Sequence, residues 1–453
     1  MSQSAPTGST GSGADRPRTI HLGLGAFHRA HQAFYTHHAD QAAGESTGIH
    51  AFTGRRPDAA ETLAAQGFGY TLIERGAIGD RLELISSIKA ASAGADLSAW
   101  RSAWQEPELQ LITLTITEAG YRITDDDLGA LQAGRPGSAM ARLLDGLQTR
   151  RSAGLPPVAV VSCDNLAGNG GVLAGRVGEL AGRWSPELAA WIADGVSFPS
   201  TMVDRITPAT TDADRDQATA WIAGQPGGQT IDRMPVVCEP FTEWVIAGEF
   251  PAGRPAWDRV GVSFVEDVEP YERRKLWLLN AGHSMLAYVG LALGHATIDQ
   301  TMTDPRCTEL LEALWAAAAE VLPFEQVEID AATAALRERF TNPRIRHNLI
   351  QIAGDGSQKL PNRNLGIYRA RRKAGLPLDA GTPATLAGWL IHLGTDRVND
   401  QGVGELRDRF ATAGASTCRA QLPIMLGYFG PDLADDHELA AAVGDRLGQF
   451  GAN

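Results

Sequence analysis

The positions of apolar and polar residues along the chain predict two regions of different architecture. In the first region, short apolar runs bounded by turn residues alternate with helical patterns, which is typical of a parallel sheet covered by helices. A helical pattern from about residue 28 to 43 follows the first of these runs. The runs that predict strands lie at 19–22, 49–53, 109–117, 157–162 and 260–265.

After residue 270 the pattern changes to long helical stretches. We therefore predict an α/β N-terminal domain followed by a mostly α-helical C-terminal domain. The boundaries are placed at 1–17 for a flexible tail, 18–268 for the first domain and 269–453 for the second. The helices of the second domain are predicted at 271–294, 306–321, 328–339, 383–393, 403–413 and 436–449.

One stretch of the second domain has the length of a membrane span. No Asp, Glu, Lys or Arg occurs from residue 276 to 298, which is long enough to cross a bilayer. However, the stretch contains Asn280, His283 and several glycines, and no second stretch of this kind accompanies it. We interpret it as a helix in the interior of a soluble protein.

Composition excludes several classes of partner. The formal charge of −13 disfavours non-specific binding of nucleic acid or of an anionic membrane surface. The four cysteines form no CxxC pair, so neither a zinc ribbon nor a redox motif is expected. The polar first 17 residues lack the apolar core of a signal peptide. We expect a cytoplasmic protein with reduced thiols; the oligomeric state stays open, and a monomer is compatible with the sequence.

A glycine-rich turn follows the first predicted strand. Gly23-Leu24-Gly25 begins the fingerprint of a Rossmann-type dinucleotide-binding domain, in which the pyrophosphate approaches the backbone at the start of a helix. Histidine 28 stands where the third glycine is expected, so a turn without a ligand is the alternative. Ala26 and Phe27 complete the expected cofactor turn.

The end of the second strand carries charges of both signs. Arg55 and Arg56 would favour the 2′-phosphate of NADP, whereas Asp58 would favour the ribose of NAD. All three could equally be solvated loop charges. The choice stays open, with NAD as the expected cofactor and NADP as the alternative.

Four histidines lie close together near the N-terminus, at positions 28, 31, 37 and 38. Spacings of this kind can hold a metal and would suit a metal hydrolase. No HExxH pattern and no neighbouring cysteine accompanies them. We therefore expect packing and polar contacts beside the glycine turn, and no metal.

A lysine, an asparagine and a histidine share the charge-free helix of the second domain. Lys275, Asn280 and His283 fall on one face of an α-helix at about 100° per residue. The chain has only four lysines, and an amine can lose its proton near neutral pH whereas arginine cannot. Desolvation would lower the pKa of Lys275 towards that of a general base, while Glu272, one turn earlier, would raise it. The alternative is that His283 and Asn280 only satisfy one another or the backbone, while Lys275 caps the start of the helix at the surface.

With this helix included, seven motifs in order identify a family resemblance over residues 18 to 440. The chain resembles the polyol-specific long-chain dehydrogenases, the mannitol dehydrogenase and fructuronate reductase family. The resemblance implies an NAD(P)-dependent, zinc-independent oxidoreductase. Besides the Lys275 helix, the motifs are GLGAFHRAHQ (23–32), TITEAGY (115–121), SCDNLAGNG (162–170), FPSTMVDRITP (198–208), CEPFTEW (238–244) and DGSQKLP (355–361).

The resemblance also implies roles for individual residues. Lys275 would be the general base, Asn280 and Asn165 would hold the reacting oxygen, and His283 would orient the substrate. Glu272 would connect to a proton path. The further positions implied are Asp204 and Lys359 on substrate hydroxyls and Glu118 of the TITEAGY motif on the cofactor.

One position departs from the mannitol-oxidising members of the family. They carry an arginine eight residues before the lysine of the DGS motif, where this chain has Gln351. We expect D-mannitol and D-fructose as substrates, with D-mannonate/D-fructuronate or mannitol 1-phosphate as alternatives. Those anions need a cationic clamp, which Arg346, Arg363 and Lys359 could provide. A nucleotide-binding regulator is less compatible with the sequence, because a sensor needs no base.

Overall fold

The computed structural model describes residues 16–54, 56–226 and 230–452. These residues form two compact units, one ending at Glu269 and the other beginning at Pro270. Most of the expected tail, together with Arg55, lies outside the described residues. The strands of the N-terminal unit are β1 Thr19–Leu22, β2 Ile49–Phe52, β3 Tyr70–Arg75, β4 Asp80–Ile85, β5 Ile88–Ser92, β6 Leu111–Leu114, β7 Ala159–Ser162, β8 Ser200–Asp204, β9 Val236–Cys238, β10 Glu243–Ala247 and β11 Ser263–Phe264.

The main sheet is parallel and has the order β5-β2-β1-β6-β7. From β1 the chain builds outward on one side through β2 and then on the other through β6. The strand order therefore reverses between β1 and β6, where open sheets of this kind form a ligand crevice at the carboxyl ends of the strands. This arrangement confirms the Rossmann-type fold predicted for the first domain.

Both faces of this sheet are buried, which explains the continuous apolar runs. Along β6, Ile112 and Leu114 pack into one hydrophobic cluster, whereas Leu111 packs into another. Two smaller sheets have the orders β11-β10-β8 and β4-β3-β9. The strand predicted at 260–265 is shorter than expected: a 3₁₀ turn occupies Trp257–Val260, and Ser263–Phe264 pairs with β10 outside the main sheet.

The helix predicted over residues 28–43 is two helices in the structure. His31 has φ −124° and ψ −83°, which ends one helix and starts the next. The helices of this unit are α1 Ala26–Ala30, α2 Gln32–Ala43, α3 Asp58–Ala65, α4 Leu97–Trp104, α5 Asp125–Gln132, α6 Ala139–Ser152, α7 Asn169–Trp184, α8 Pro186–Gly195 and α9 Asp212–Ile222.

The C-terminal unit is helical around one hydrophobic core. A π-helix at Lys275–Asn280 separates its first two α-helices. Of the helices in the described ranges, none is both long and apolar enough to cross a bilayer. The α-helices are α10 Glu269–Arg274, α11 Ala281–Ala292, α12 Ile298–Thr301, α13 Pro305–Ala319, α14 Gln326–Phe340, α15 Leu349–Ile352, α16 Gly356–Lys359, α17 Asn364–Lys373, α18 Gly381–Leu393, α19 Val403–Thr412, α20 Cys418–Phe429, α21 Pro431–Ala434 and α22 His437–Gln449.

Candidate functional site

The glycine turn leaves the end of β1 at the point where the strand order reverses. Gly23 has φ +113°, and a Cβ atom there would lie 2.1 Å from the carbonyl oxygen of Thr115. Only glycine fits this position. Gly25 is exposed and precedes α1, and a Cβ atom there would meet only the Gly23 carbonyl, at 3.6 Å. The turn therefore has open space on the side from which a pyrophosphate would approach.

His28 occupies the position of the third fingerprint glycine, and its ring stacks on a second histidine ring. The His28 ring lies on the His21 ring, with centroids 3.3 Å apart and planes at 9°. Burial lowers the pKa of His21 to about 3 and that of His28 well below its usual value, so both rings are neutral. Two flat neutral rings allow the helix to approach the strand closely. In the same turn, Ala26 starts α1 and Phe27 stacks on His31 at 5.0 Å.

Two of the other N-terminal histidines share a partner. His37 and His38 both approach one oxygen of Glu83, at 3.9 and 3.4 Å, and His37 also bonds to Gln41 at 2.7 Å. His31 instead bonds to the Glu243 carbonyl at 3.0 Å, and His28 stacks on His21. The four histidines therefore do not all converge on one point.

Within the described ranges, one group of three metal-type side chains has ligand atoms within 4.8 Å of one another, namely His295, Asp304 and Cys307. The Arg306 guanidinium already bonds to both oxygens of Asp304, at 3.0 and 2.6 Å. This carboxylate is therefore the acceptor of an arginine ion pair.

The charges after β2 are at the surface. Arg56 and Asp58 form an ion pair at 3.8 Å with side chains that are 89% and 72% exposed, and such a pair adds little stability. Asp58 begins α3. Both groups are thus accessible to a ligand, and the geometry selects neither NAD nor NADP.

Three further predicted residues of this unit lie at strand ends. Glu118 opens a 3₁₀ turn beyond β6, and Asn165 lies in the loop beyond β7; both are exposed. Asp204 ends β8 and is buried. The first two are at the carboxyl edge of the main sheet, next to the glycine turn.

Lys275 and Asn280 are the first and last residues of the π-helix. The N–H of Ala281 bonds to the carbonyl of Leu276, five residues back. The prediction that the two side chains follow the 100° step of an α-helix is therefore wrong for this segment. Single π turns inside α-helices occur frequently at functional sites. Both residues are half-buried, as is Glu272 in α10.

His283 lies in the first turn of α11, and its Nε2 is buried without a hydrogen-bond partner among the residues that the structure describes. The ring packs against Phe340 at 4.6 Å and His347 at 5.6 Å. Burial lowers the pKa of His283 far below its usual value, and the neighbouring His347 ring and the positive charges of Arg339 and Arg363 add to this effect. The group is a neutral imidazole that can bond to a hydroxyl.

The DGS motif bends sharply before α16. Asp355 has φ +55°, and a Cβ atom on Gly356 would lie 2.2 Å from the Tyr288 hydroxyl. Lys359 donates to the Gly354 carbonyl at 2.5 Å. Burial, followed by the charge of Arg363, lowers the pKa of Lys359.

Arg363 connects this motif to the π-helix. Its Nη1 donates to the Asn280 carbonyl at 3.2 Å and to the Ser284 hydroxyl at 2.9 Å. Burial lowers its pKa to about 10, and no carboxylate in the described residues compensates its charge. Gln351, in α15, and Arg346, before it, are both exposed.

Sequence patterns did not reveal the residues that support these groups. Ser284 and His347 were not singled out, because their partners Arg363 and His283 are far away in sequence. Asp164 and Asn169 lie inside the motif at 162–170, but only their hydrogen bonds in the structure show that they differ in role from the neighbouring residues. A buried polar side chain in an apolar helix was the one available signal, and it would have indicated Ser284.

Comparisons with known proteins cover both units. The profile described as the mannitol dehydrogenase Rossmann domain matches residues 17–259, and that of the mannitol dehydrogenase C-terminal domain matches 267–450. D-mannonate oxidoreductase of Escherichia coli (strain K12) is 38% identical over 459 residues, covering 94% of this chain and 91% of the relative. Mannitol 2-dehydrogenase of Cereibacter sphaeroides is 36% identical, covering 76% of this chain and 74% of the relative.

A solved structure gives the same result. Pseudomonas fluorescens mannitol 2-dehydrogenase, in a ternary complex with NAD and D-mannitol, superposes with a TM-score of 0.74 at 32% identity. The match covers 96% of this chain and 92% of that protein. These similarities confirm the resemblance inferred from the motifs.

Proposed function

The chain belongs to the mannitol dehydrogenase family of oxidoreductases, and on that premise we propose that it interconverts a polyol and its ketose with NAD and without zinc. The proposed pair is D-mannitol and D-fructose. In oxidation, a secondary alcohol gives up its hydroxyl proton and a hydride. When bound, NAD supplies the acceptor for the hydride, and side chains of the protein take the proton and stabilise the developing charge.

The observation that carries this proposal is the placement of Lys275, Asn280 and His283 in the C-terminal unit. An amine and an amide stand at the two ends of one π turn, and a neutral imidazole with an unpaired nitrogen follows three residues later. Lys275 is the general base, since an amine can be neutral near the working pH. Glu272, one turn earlier, is assigned to the path by which the proton leaves.

Amide groups replace the metal in this proposal. Asn280 and Asn165 donate hydrogen bonds to the reacting oxygen as it gains negative charge, and one such donor typically contributes about 3 kcal/mol. Zinc performs this task in other alcohol dehydrogenases. His283 bonds to a substrate hydroxyl, and Asp204 and Lys359 are assigned to further hydroxyls, with Gln351 close to Lys359 in sequence.

The cofactor is assigned to the turn at Gly23 and Gly25. Its open side accommodates a pyrophosphate, and a family relative of known structure carries NAD. Ala26 and Phe27 contribute the start of α1, and Glu118 lies on the neighbouring loop. We propose NAD as the cofactor, with NADP as the alternative to be tested in the same assay.

One observation favours a second candidate, a sugar acid such as D-mannonate. The half-buried Arg363 guanidinium lowers the pKa of Lys359 by its charge, and no carboxylate in the described part of the chain compensates Arg363 itself. A substrate carboxylate would pair well with such cations. The 38% identical relative named D-mannonate oxidoreductase supports this candidate. Arg346 is exposed and would be a weaker contributor, and the same cations would also suit mannitol 1-phosphate.

The oligomeric state and the cellular compartment of the enzyme also belong to the proposal. All the groups assigned above belong to one chain, which is compatible with a monomer, and the oligomeric state stays open. The four cysteines are free thiols, as expected for an enzyme that works in the reducing cytoplasm.

A substrate panel tests the proposed function. D-mannitol, D-mannonate and mannitol 1-phosphate are offered with NAD or NADP, and the absorbance of the reduced nicotinamide is followed. We expect the highest kcat/KM for D-mannitol with NAD. A higher value for D-mannonate would select the sugar acid, and no reduction with any pair would refute the proposal.

A further inference from the structure

The loop after β6 holds a threonine in a backbone conformation that favours glycine. Thr117 has φ +63° and ψ 163°, which is a genuine outlier for a β-branched residue. Such conformations persist only where the surroundings enforce them, and they concentrate at functional sites. Thr117 lies directly before Glu118, at the carboxyl edge of the main sheet.

The carboxylate of Asp164 enforces this conformation. It accepts hydrogen bonds from the N–H groups of Ile116 and Thr117, at 3.1 and 2.8 Å. It also accepts one from the Tyr121 hydroxyl at 2.8 Å, which in turn lies 2.5 Å from the Ser162 hydroxyl. One side chain from the loop after β7 thus holds both ends of the loop after β6.

The backbone of Asp164 is itself held in place. Asn169 donates to the Asp164 carbonyl at 3.0 Å and to the Thr201 carbonyl at 2.8 Å, and it accepts from the Thr201 N–H at 2.9 Å. A Cβ atom on Gly170 would lie 2.4 Å from the Phe198 carbonyl, so the start of α7 is packed tightly. Asn165 therefore leaves the sheet edge from a fixed point, although its side chain is exposed.

We propose that Asp164 is a positioning residue that fixes the Asn165 amide and the Thr117–Glu118 peptide relative to each other. The proposal rests on the proposed function, in which Asn165 stabilises the reacting oxygen. Asp164 does not itself bind the substrate, since its two oxygens serve the loop. An ionised carboxylate is required because three donors converge on it, and an amide would present its own N–H groups to at least one of them.

The test is Asp164→Asn, alone and combined with Asn165→Ala, with the primary deuterium isotope effect on alcohol oxidation as readout. A misplacement of about 1 Å lowers the rate up to about 100-fold. We expect a loss of turnover of that order and an isotope effect at least as large as that of the wild type, because hydride transfer is the step that a misplaced amide slows. In the Asn165→Ala background the same change should cost far less, because residues that act as a unit are not additive.

Asp232→Asn is the matched control. Asp232 also accepts hydrogen bonds from backbone N–H groups, those of Thr71 and Met234, but it connects β3 with the segment before β9. The Asp232→Asn substitution should lower the thermal stability and leave turnover and the isotope effect unchanged. If Asp164→Asn does not fold, Tyr121→Phe, which removes one of the three hydrogen bonds, should show a smaller loss with the same non-additivity.

The outcomes separate this inference from the function it rests on. Additive losses for Asp164→Asn and Asn165→Ala, or an isotope effect smaller than that of the wild type, would overturn the positioning role alone. Wild-type turnover in Asn165→Ala would overturn the assignment of Asn165 and the inference together. A strongly non-additive loss with an undiminished isotope effect supports the proposal.

Discussion

A valine at Gly25 should separate cofactor binding from folding. Gly25 has φ −122° and ψ −175°, an extended conformation that any residue adopts, and a Cβ atom there makes one ordinary contact at 3.6 Å. Gly25 precedes α1 as its N-cap, where replacing glycine costs about 1 kcal/mol or less. In a unit of this size, that corresponds to a fall in Tm of about 2–4 °C.

The effect on the cofactor should be much larger. The valine side chain occupies the side of the turn from which the pyrophosphate approaches, so at least one hydrogen bond to a charged oxygen is lost. Such a bond contributes about 1.5–3 kcal/mol, which corresponds to a 10- to 150-fold weaker Kd at about 1.4 kcal/mol per decade. The Kd for NADH is measured by fluorescence titration, and Tm by calorimetry.

Gly23→Ala is the matched variant. With φ +113° and the Thr115 carbonyl 2.1 Å from the added Cβ, it should destabilise the fold itself. Unchanged NADH affinity in Gly25→Val would refute the assignment of the turn. So would a loss of affinity that merely follows a large fall in Tm, as is expected only of Gly23→Ala.

Three further predictions concern metal, substrate orientation and acid stability. Prolonged treatment with a strong chelator should leave turnover unchanged, and activity lost and then restored by zinc would contradict the metal-free site. His283→Phe keeps the packing against Phe340 but removes both ring nitrogens. The kcat/KM for the polyol should therefore fall about 2- to 12-fold, which corresponds to about 0.5–1.5 kcal/mol for one hydrogen bond, with little change in Tm. An unchanged kcat/KM would remove His283 from substrate binding. Burial lowers the pKa of His21 to about 3 and that of His28 well below 6.5. Below pH 6.5 the unfolded chain therefore binds protons that the folded chain does not. The free energy of unfolding should consequently fall as the pH drops from 6.5 towards 3. Chemical unfolding at pH 7 and pH 5 measures this fall, and equal stabilities would contradict the buried neutral pair.

Four of the five strands predicted from the sequence belong to the main sheet, where strands are buried on both faces. β1, β2, β6 and β7 are apolar runs, and the structure places them side by side in the main sheet. β3 and β4 mix charged and apolar residues because they belong to a smaller, partly exposed sheet. Their alternation is too weak to distinguish a strand from a loop in the sequence alone.

Two local departures from helical geometry could not be predicted. An apolar sequence such as Leu276–Leu279 suits an α-helix and a π-helix equally, so the π turn between Lys275 and Asn280 left no signal. The break at His31 likewise depends on tertiary contacts, since its ring bonds to the Glu243 carbonyl more than 200 residues away. Residue types indicated the chemistry, but their relative placement depended on the fold.

The glycine turn was predictable for the opposite reason. Its constraint is local, because the positive φ of Gly23 requires glycine whatever the rest of the fold does. The stacking of His28 on His21, and the contact of Arg363 with the Asn280 carbonyl, join residues that no local pattern relates. Motif recognition found such residues without showing what each one contacts.

The most direct test of the account is to measure the turnover of Lys275→Ala as a function of pH. The control is Lys373→Ala, since Lys373 is an exposed lysine of α17. Alcohol oxidation requires the neutral amine, so wild-type turnover should rise with pH as Lys275 loses its proton, and ketone reduction should fall over the same range. Lys275→Ala should lose about 100- to 10,000-fold in turnover, as is usual for a positioned general base, with NADH affinity unchanged and partial recovery by added primary amines. Near wild-type turnover with the same pH profile in Lys275→Ala would contradict the account.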